Sequence, residues 1–245
     1  MLLEIRWRPD TLIRFFAMLL FCFGISGVAG FWMYKAIDAG LPLDEKTGAI
    51  LINVFFLDFG ILAITWMLLK DNQIGWRQAF GFSKDKIGAM GVLALLTAIG
   101  GFFMAAMLGG VMTVILESLG FEVSPQEVVD TFQNTESLFQ RILLGGMAVL
   151  LAPIVEEILF RGVLYSVMRQ YLPGVWAVWG SSFLFGLVHA NKVSLIPLTC
   201  LAVVLIRLYE KTGNLWAPIM AHAFFNSINL CLMLMVPEMI EMNTP

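Results

Sequence analysis

The side chains that could do chemistry lie inside long apolar stretches of this sequence. Glu156, Glu157 and Arg161 occur in APIVEEILFRG, and the chain's two histidines, His189 and His222, occur in FLFGLVHA and MAHAFFN. Ionisable groups are costly within a bilayer, so those that are present there are candidates for a functional site.

The two neighbouring glutamates have different surroundings on a helix. Glu157 and Arg161 are four residues apart, with the acidic residue first, so the arginine can pair with Glu157. Glu156 points about 100° away around the helix and is left free for chemistry. A structural ion pair accounts for Glu157 and Arg161 but leaves the second carboxylate unexplained. We therefore predict that Glu156 is catalytic and that the other two residues support it.

His189 is predicted to lie at the same depth as Glu156. A turn at Tyr171–Gly174 would join the two helices that carry them as an antiparallel hairpin, which places both side chains about 25 Å from the turn. Alone, His189 would more often be a packed polar group. Because it matches a free glutamate in depth, we predict that the two residues form a catalytic pair.

His222 and Asn226 are four residues apart and share one face of a helix. A helix that begins near Trp216 carries them to depths of about 9 Å and 15 Å, which overlap the level predicted for Glu156. Such a face either forms interhelical hydrogen bonds or directs hydrogen-bond donors at a substrate. Both interpretations stay open, and both residues are candidate catalytic residues.

The same residues allow a metal centre as an alternative. Glu156, His189 and His222 could supply three protein ligands to zinc and leave a fourth position open for water. The sequence has no HExxH motif. We favour chemistry without a metal cofactor.

The composition requires a membrane around these residues. Of the 245 residues, 59% are hydrophobic and 13% are charged, whereas soluble domains contain about 25% charged residues. In water such a chain would expose large apolar patches. A net charge of −3 without any Lys/Arg-rich tract excludes nucleic acid as an expected partner.

We predict an all-α, polytopic transmembrane bundle with about seven spanning helices, because about 20 apolar residues cross a bilayer core of roughly 30 Å. The predicted spans are Leu12–Tyr34, Ala49–Leu69, Ile87–Leu116, Ile142–Met168, Val175–His189, Leu195–Leu208 and Leu215–Val236. Residues 1–245 would form one membrane domain, with a catalytic four-helix core at 141–236. Asp58, in the second span, has no partner apparent in the sequence and is expected to hydrogen-bond within the bundle.

The basic residues predict the orientation. Most of the 15 Lys and Arg residues fall in loops on the side of the N-terminus, which the positive-inside rule places in the cytoplasm. The acidic loop Glu117–Gln140 falls on the outer side. Within it, SPQEVVDTF predicts a short amphipathic helix with Ser124 as its N-cap.

Three motifs in order resemble those of the CPBP family of intramembrane proteases, the CAAX proteases and bacteriocin-processing enzymes, also called the Abi family. This family includes the type II CAAX prenyl endopeptidase. EExxxR reads as Glu156, Glu157 and Arg161, FxxxH as Phe185 and His189, and HxxxN as His222 and Asn226. The resemblance covers about 141–230.

The resemblance implies an intramembrane endopeptidase. Glu156 and His189 would activate a water molecule for attack on the peptide carbonyl, and His222 and Asn226 would stabilise the oxyanion. The implied substrate is a membrane peptide or a lipidated protein, such as a prenylated one. The compact length and short loops are typical of bacteria, so the expected location is the bacterial inner membrane.

Two other functions are compatible with intramembrane charges of this kind. A non-catalytic scaffold or bacteriocin-immunity protein would keep the fold without turnover, although the intact motif set argues against decay of the site. A transporter would be expected to show paired broken helices in two related halves, and no internal repeat is visible in the sequence.

Overall fold

The computed structural model describes residues 5–39, 45–124, 126–135 and 137–242, and within these ranges the chain is helical without any β-strand. The α-helices are α1 (Pro9–Asp38), α2 (Glu45–Asn53), α3 (Phe59–Asp71), α4 (Trp76–Phe80), α5 (Ile87–Ser118), α6 (Glu127–Asn134), α7 (Leu138–Gly146), α8 (Ala152–Glu157), α9 (Tyr165–Tyr171), α10 (Gly174–Val188), α11 (Leu195–Thr212) and α12 (Trp216–Met242). Wider, π-helical turns connect some of them at Val54–Asp58, Met147–Leu151 and Ile158–Leu164.

Several of these helices suit a membrane by length and composition. Within the described residues, the five that are long and apolar enough are Pro9–Asp38, Thr47–Asp71, Ile87–Ser118, Leu138–Tyr171 and Trp216–Met235. They correspond to the first four predicted spans and the seventh, while the predicted fifth and sixth spans are the shorter helices α10 and α11. Large apolar side chains such as Phe23, Phe103 and Val114 are exposed on the bundle, as a lipid-facing surface requires. The predicted all-α polytopic fold is confirmed, and the chain is an integral membrane protein.

The packing brings the helices of the second half together around one apolar core. Helix α5 packs against α11 and α12, and α10 packs against α11. Ala98, Phe160, Leu201 and Phe225 are buried in this core. Because α5 contributes to the same core, the third span supports the region of the motifs although it lies outside the four-helix unit predicted at 141–236, and that domain boundary stays a prediction.

Two glycines allow the close approaches that bring the motifs together. A Cβ atom at Gly186 would lie 2.6 Å from the backbone oxygen of Leu195 and 2.6 Å from Thr199 Oγ1, so α10 and α11 meet here with no room for a side chain. A Cβ atom at Gly162 would lie 2.7 Å from the ring of Phe80. The end of α4 can therefore pack directly against the fourth span.

The fourth span is not a regular α-helix, contrary to the geometry assumed from the sequence. Pro153 lies in the first turn of α8 and has no backbone N–H to donate to the preceding turn, and the wide turn Met147–Leu151 comes directly before this helix. The second wide turn, Ile158–Leu164, contains Arg161. Turns of this kind are frequent at functional sites, and here they flank the two glutamates.

The short helix predicted in the loop Glu117–Gln140 is present as α6. It begins at Glu127, and Gln126 occupies the N-cap position, so the assignment of Ser124 as the N-cap was wrong. Ser124 instead accepts a hydrogen bond at its backbone oxygen from the side chain of Asn191. This contact ties the loop before α6 to the loop that follows α10.

Candidate active site

The predicted site residues come from three elements that meet inside the bundle. Glu156 and Glu157 end α8, His189 follows α10 at its C-terminal cap, and His222 lies in the second turn of α12. His222 Nε2 lies 3.8 Å from Glu156 Oε2. The similar depths inferred for these two residues are therefore matched by a direct approach of their side chains.

Glu157 is the most tightly held residue of the group. Its side chain is fully buried, and its Oε1 atom accepts a hydrogen bond from Arg161 Nη1 at 2.7 Å. The predicted pairing of these two residues is present, although the helix widens between them. The same oxygen lies 2.9 Å from His222 Nδ1, a contact that was not predicted from the sequence.

Arg161 is also fully buried and is held from three sides. Besides Glu157, its Nη2 atom donates to the backbone oxygen of Ala202 at 3.4 Å, and its guanidinium lies 4.5 Å from the ring centre of Phe185. A buried cation needs such partners, because an unpaired charge in an apolar interior is strongly destabilising. The arginine thus links α8, α10 and α11.

Glu156 differs from its neighbour as the helix geometry predicted. Its side chain is 29% exposed, and its Oε2 atom, although buried, has no hydrogen-bond partner among the described residues. Asp58 in the second span lies near enough to Glu156 for two negative charges to repel each other. The hydrogen bond expected for Asp58 within the bundle stays a prediction.

His189 is oriented by its own helix. Its Nδ1 atom lies 2.7 Å from the backbone oxygen of Phe185. A carbonyl can only accept, so Nδ1 carries the proton, and in the neutral ring Nε2 keeps the free lone pair of a base. No hydrogen bond or ion pair joins His189 to Glu156 among the described residues.

Phe185 connects the two histidines. Its buried ring lies 4.9 Å from the ring centre of His189 and 5.8 Å from that of His222, and it packs edge-on against Phe160 at 5.1 Å. The FxxxH spacing pointed to this residue, but its contacts with Arg161 and His222 cross between helices and leave no local pattern in the sequence.

Asn226 shares the face of α12 with His222 but uses its amide elsewhere. Its Nδ2 atom donates to the backbone oxygen of Ala148 at 2.8 Å, within the wide turn before α8. Of the two interpretations left open from the sequence, this bond corresponds to the first, an interhelical hydrogen bond. Because an asparagine amide has two N–H groups, the second remains for another acceptor.

The zinc alternative depends on how the two histidines are oriented. Among the residues that the structure describes, no group of three or more His, Cys, Asp or Glu side chains is placed to hold a metal ion. His222 directs Nδ1 at Glu157 and His189 directs Nδ1 at a backbone oxygen. These bonds leave Nε2 of each histidine available, so the zinc set of Glu156, His189 and His222 stays an untested alternative, and we derive no step through a metal.

The part of the chain that contains these residues is similar to known proteins. Residues 138–228 match the family model described as type II CAAX prenyl endopeptidase Rce1-like. The chain is 31% identical over 148 residues to a protein of Bacillus subtilis (strain 168) named "Putative membrane peptidase YdiL", a match that covers 59% of this chain and 57% of the relative. It is 33% identical over 86 residues to "Uncharacterized protein YpbD" of the same organism, covering 34% of this chain and 41% of that protein.

The matches cover less than two thirds of the length of either relative, and no solved structure matches the chain. All three motifs nevertheless lie within the matched region. The predicted resemblance to CPBP proteases and to the type II CAAX prenyl endopeptidase is confirmed, and the family match lies in residues 138–228.

Proposed function

We propose that the protein is an intramembrane endopeptidase that cleaves a membrane-associated or lipidated peptide. The observation that carries this proposal is the placement of His222 between two carboxylates, with Nδ1 at Glu157 and Nε2 facing Glu156. A polar chain of this kind is costly in an apolar bundle. Its occurrence in the Rce1-like region supports a catalytic role rather than a packing role.

Within this proposal, Arg161 and Glu157 are positioning residues. The buried pair fixes the ring of His222 through Nδ1, in the same way that a carboxylate orients the histidine of a catalytic triad. The opposite nitrogen, Nε2, is thereby directed at Glu156. The exposed part of Glu156 gives water a route to this carboxylate, while Glu157 is closed to it.

The reaction is proposed as water addition followed by collapse. A water oxygen attacks the carbonyl carbon of the scissile peptide bond while its proton passes to Glu156 or to Nε2 of His189. The carbonyl oxygen becomes an oxyanion, which the second N–H of Asn226 and the Nε2–H of a doubly protonated His222 stabilise. The proton then passes to the leaving nitrogen as the carbon–nitrogen bond breaks.

The substrate follows from the position of the site. Glu156 and His222 lie inside helices of a spanning bundle, so the scissile bond must reach them from the membrane or its surface. The family description names prenyl endopeptidases, and a prenyl or other lipid chain would hold a peptide at this depth. We propose a membrane-anchored peptide, with or without a prenyl group, as the substrate class.

This function can be tested by comparing membrane peptides from two cell lines. One makes the native protein, and the other makes the Glu156→Gln variant. We expect a defined set of peptide termini to depend on Glu156 and to be restored by the native protein. Glu117→Gln is the matched control, because Glu117 is exposed at the end of α5 and is not one of the candidate site residues. A double variant, Glu156→Gln with His189→Ala, that keeps full cellular function would replace the protease with the non-catalytic scaffold.

A further inference from the structure

A polar cavity lies at the end of the bundle where the hairpin between α9 and α10 turns. It has a volume of about 740 Å³ and lies between the N-terminal segment, the last turns of α9 and the end of α11. Arg6, Arg169, Ser166 and Glu210 are among its lining residues, whereas Glu156, His189 and His222 are not. The cavity is thus separate from the candidate active site.

The walls of this cavity are fixed by Trp7. Its backbone N–H donates to the side-chain oxygen of Gln170 at 2.8 Å, and its backbone oxygen accepts from the amide nitrogen of the same residue at 3.0 Å. The indole Nε1 donates to Ser166 Oγ at 2.8 Å, and the Trp7 side chain is almost fully buried. These bonds hold Arg6 beside α9, so the cavity is already formed without a ligand.

The cavity has a net positive charge, because the carboxylate of Glu210 is already neutralised by an ion pair. Glu210 is paired with Arg207 Nη1 at 2.7 Å and also accepts the hydroxyl hydrogen of Tyr165. Arg6 and Arg169 are exposed and form no ion pair among the described residues. Two guanidinium groups therefore face the cavity without a carboxylate of their own.

The cavity lies where the fourth span ends, which is the expected level of the membrane surface. Gly162 packs against Phe80, whose backbone oxygen accepts from Leu215 N just before α12 begins. Arg169 lies about 10 Å farther along the fourth span than Gly162. It is therefore farther out than the level at which α12 begins. The aromatic residues Tyr165, Tyr171 and Tyr209 line the cavity, and tyrosine is enriched where a bundle leaves the bilayer core.

We propose that this cavity binds the phosphate of an anionic glycerophospholipid. Guanidinium groups match phosphate oxygens with paired, charge-assisted hydrogen bonds. A headgroup at the membrane surface reaches the cavity while its acyl chains stay in the bilayer beside α9 and α10. Arg6 and Arg169 are the phosphate ligands, and Trp7 with Gln170 and Ser166 forms the scaffold that holds the first of them in place.

The test measures lipid binding to the purified full chain in a non-ionic detergent. Short-chain phosphatidylglycerol should bind and raise the melting temperature more than phosphatidylcholine at the same concentration, with binding counted by native mass spectrometry. Arg6→Gln with Arg169→Gln should weaken phosphatidylglycerol binding about tenfold or more, because two charge-assisted contacts are lost. Both arginines are exposed, so the double variant is expected to fold.

The matched control is Arg77→Gln with Lys84→Gln. It removes the same charge from exposed positions outside the cavity and should leave phosphatidylglycerol binding unchanged. An equal loss in this control would mean that general surface charge, and not the cavity, binds the lipid. An equal stabilisation by inorganic phosphate alone would overturn the lipid as the source of the phosphate, and undiminished binding by the Arg6/Arg169 variant would overturn the site itself.

Discussion

Glu156 and Glu157 show how two identical neighbours acquire different tasks. Glu157 is fully buried between Arg161 and His222, whereas Glu156 is partly exposed and approaches the other nitrogen of the same histidine. A substitution of each carboxylate by the isosteric amide therefore removes a different property. The amide at position 156 removes the proposed base, whereas the amide at position 157 removes the charged partner of Arg161 and His222.

Glu156→Gln should abolish peptide cleavage and leave the fold intact. Loss of a general base typically lowers the rate by about 10²–10⁴. Glu157→Gln should lower stability as well, by on the order of 3 kcal/mol, since it leaves the Arg161 charge buried without its partner. The measurements are peptide cleavage and thermal unfolding in detergent for both variants. Equal melting temperatures for the two variants would contradict the division of roles.

Metal removal provides a separate test of the same residues. Chelation of the purified, active protein should leave the cleavage rate unchanged, because the proposed steps use Glu156, His189 and His222 without a metal. The rate is measured before and after chelation, alongside the metal content of the protein. Stoichiometric zinc, with activity lost on chelation and regained on adding zinc, would replace this mechanism with the three-ligand alternative.

At the scale of the helices, the position of the site depends on close packing of α10 against α11. Gly186 has no space for a Cβ atom, because the backbone oxygen of Leu195 and the Thr199 hydroxyl lie in the way. Gly180, on the same helix, faces only the flexible side chain of Met168 at 3.4 Å. The two glycines thus form a matched pair for testing this contact.

Gly186→Ala should destabilise the protein by about 1–3 kcal/mol, the usual cost of overpacking. It should also lower cleavage, since α10 carries Phe185 and His189. Gly180→Ala should keep both properties close to native, because alanine favours the helix and the sulfur of Met168 can move. Thermal unfolding and the cleavage rate of both variants check this. Equal stability and cleavage for Gly186→Ala and Gly180→Ala would contradict the proposed close contact of α10 with α11.

Sequence periodicity was sufficient to predict the local relations of the site. Helix spacing predicted the pair of Glu157 with Arg161, and helix rise predicted the level shared by Glu156 and His222. The hydrogen bond between His222 and Glu157 joins residues 65 positions apart, so it depends on how the helices pack and not on local spacing. The wide turns were also missed, because they need the packed bundle to supply partners such as Asn226 for the carbonyl of Ala148.

For the molecule as a whole, the Lys/Arg distribution predicts a cytoplasmic N-terminus. In a variant without the native cysteines, Ser124→Cys should react with a membrane-impermeant maleimide on intact cells. Lys84→Cys should react only after the membrane is opened. Both positions are exposed in the structure, so access across the membrane and not burial decides the labelling. Labelling of Lys84→Cys in intact cells would reverse the predicted orientation.

The bonds of Trp7 also have a consequence for the order in which the chain is assembled during synthesis. Trp7 and Gln170 are separated by 163 positions, and a ribosome adds about 5–20 residues per second. The N-terminal segment must therefore wait on the order of ten seconds for its partner to emerge. During that interval the first three spans can enter the bilayer, but the indole has no completed site in which to be buried. A nascent chain halted before Gln170 should therefore leave Trp7 accessible to protease or quencher, and release of the halt should bury it.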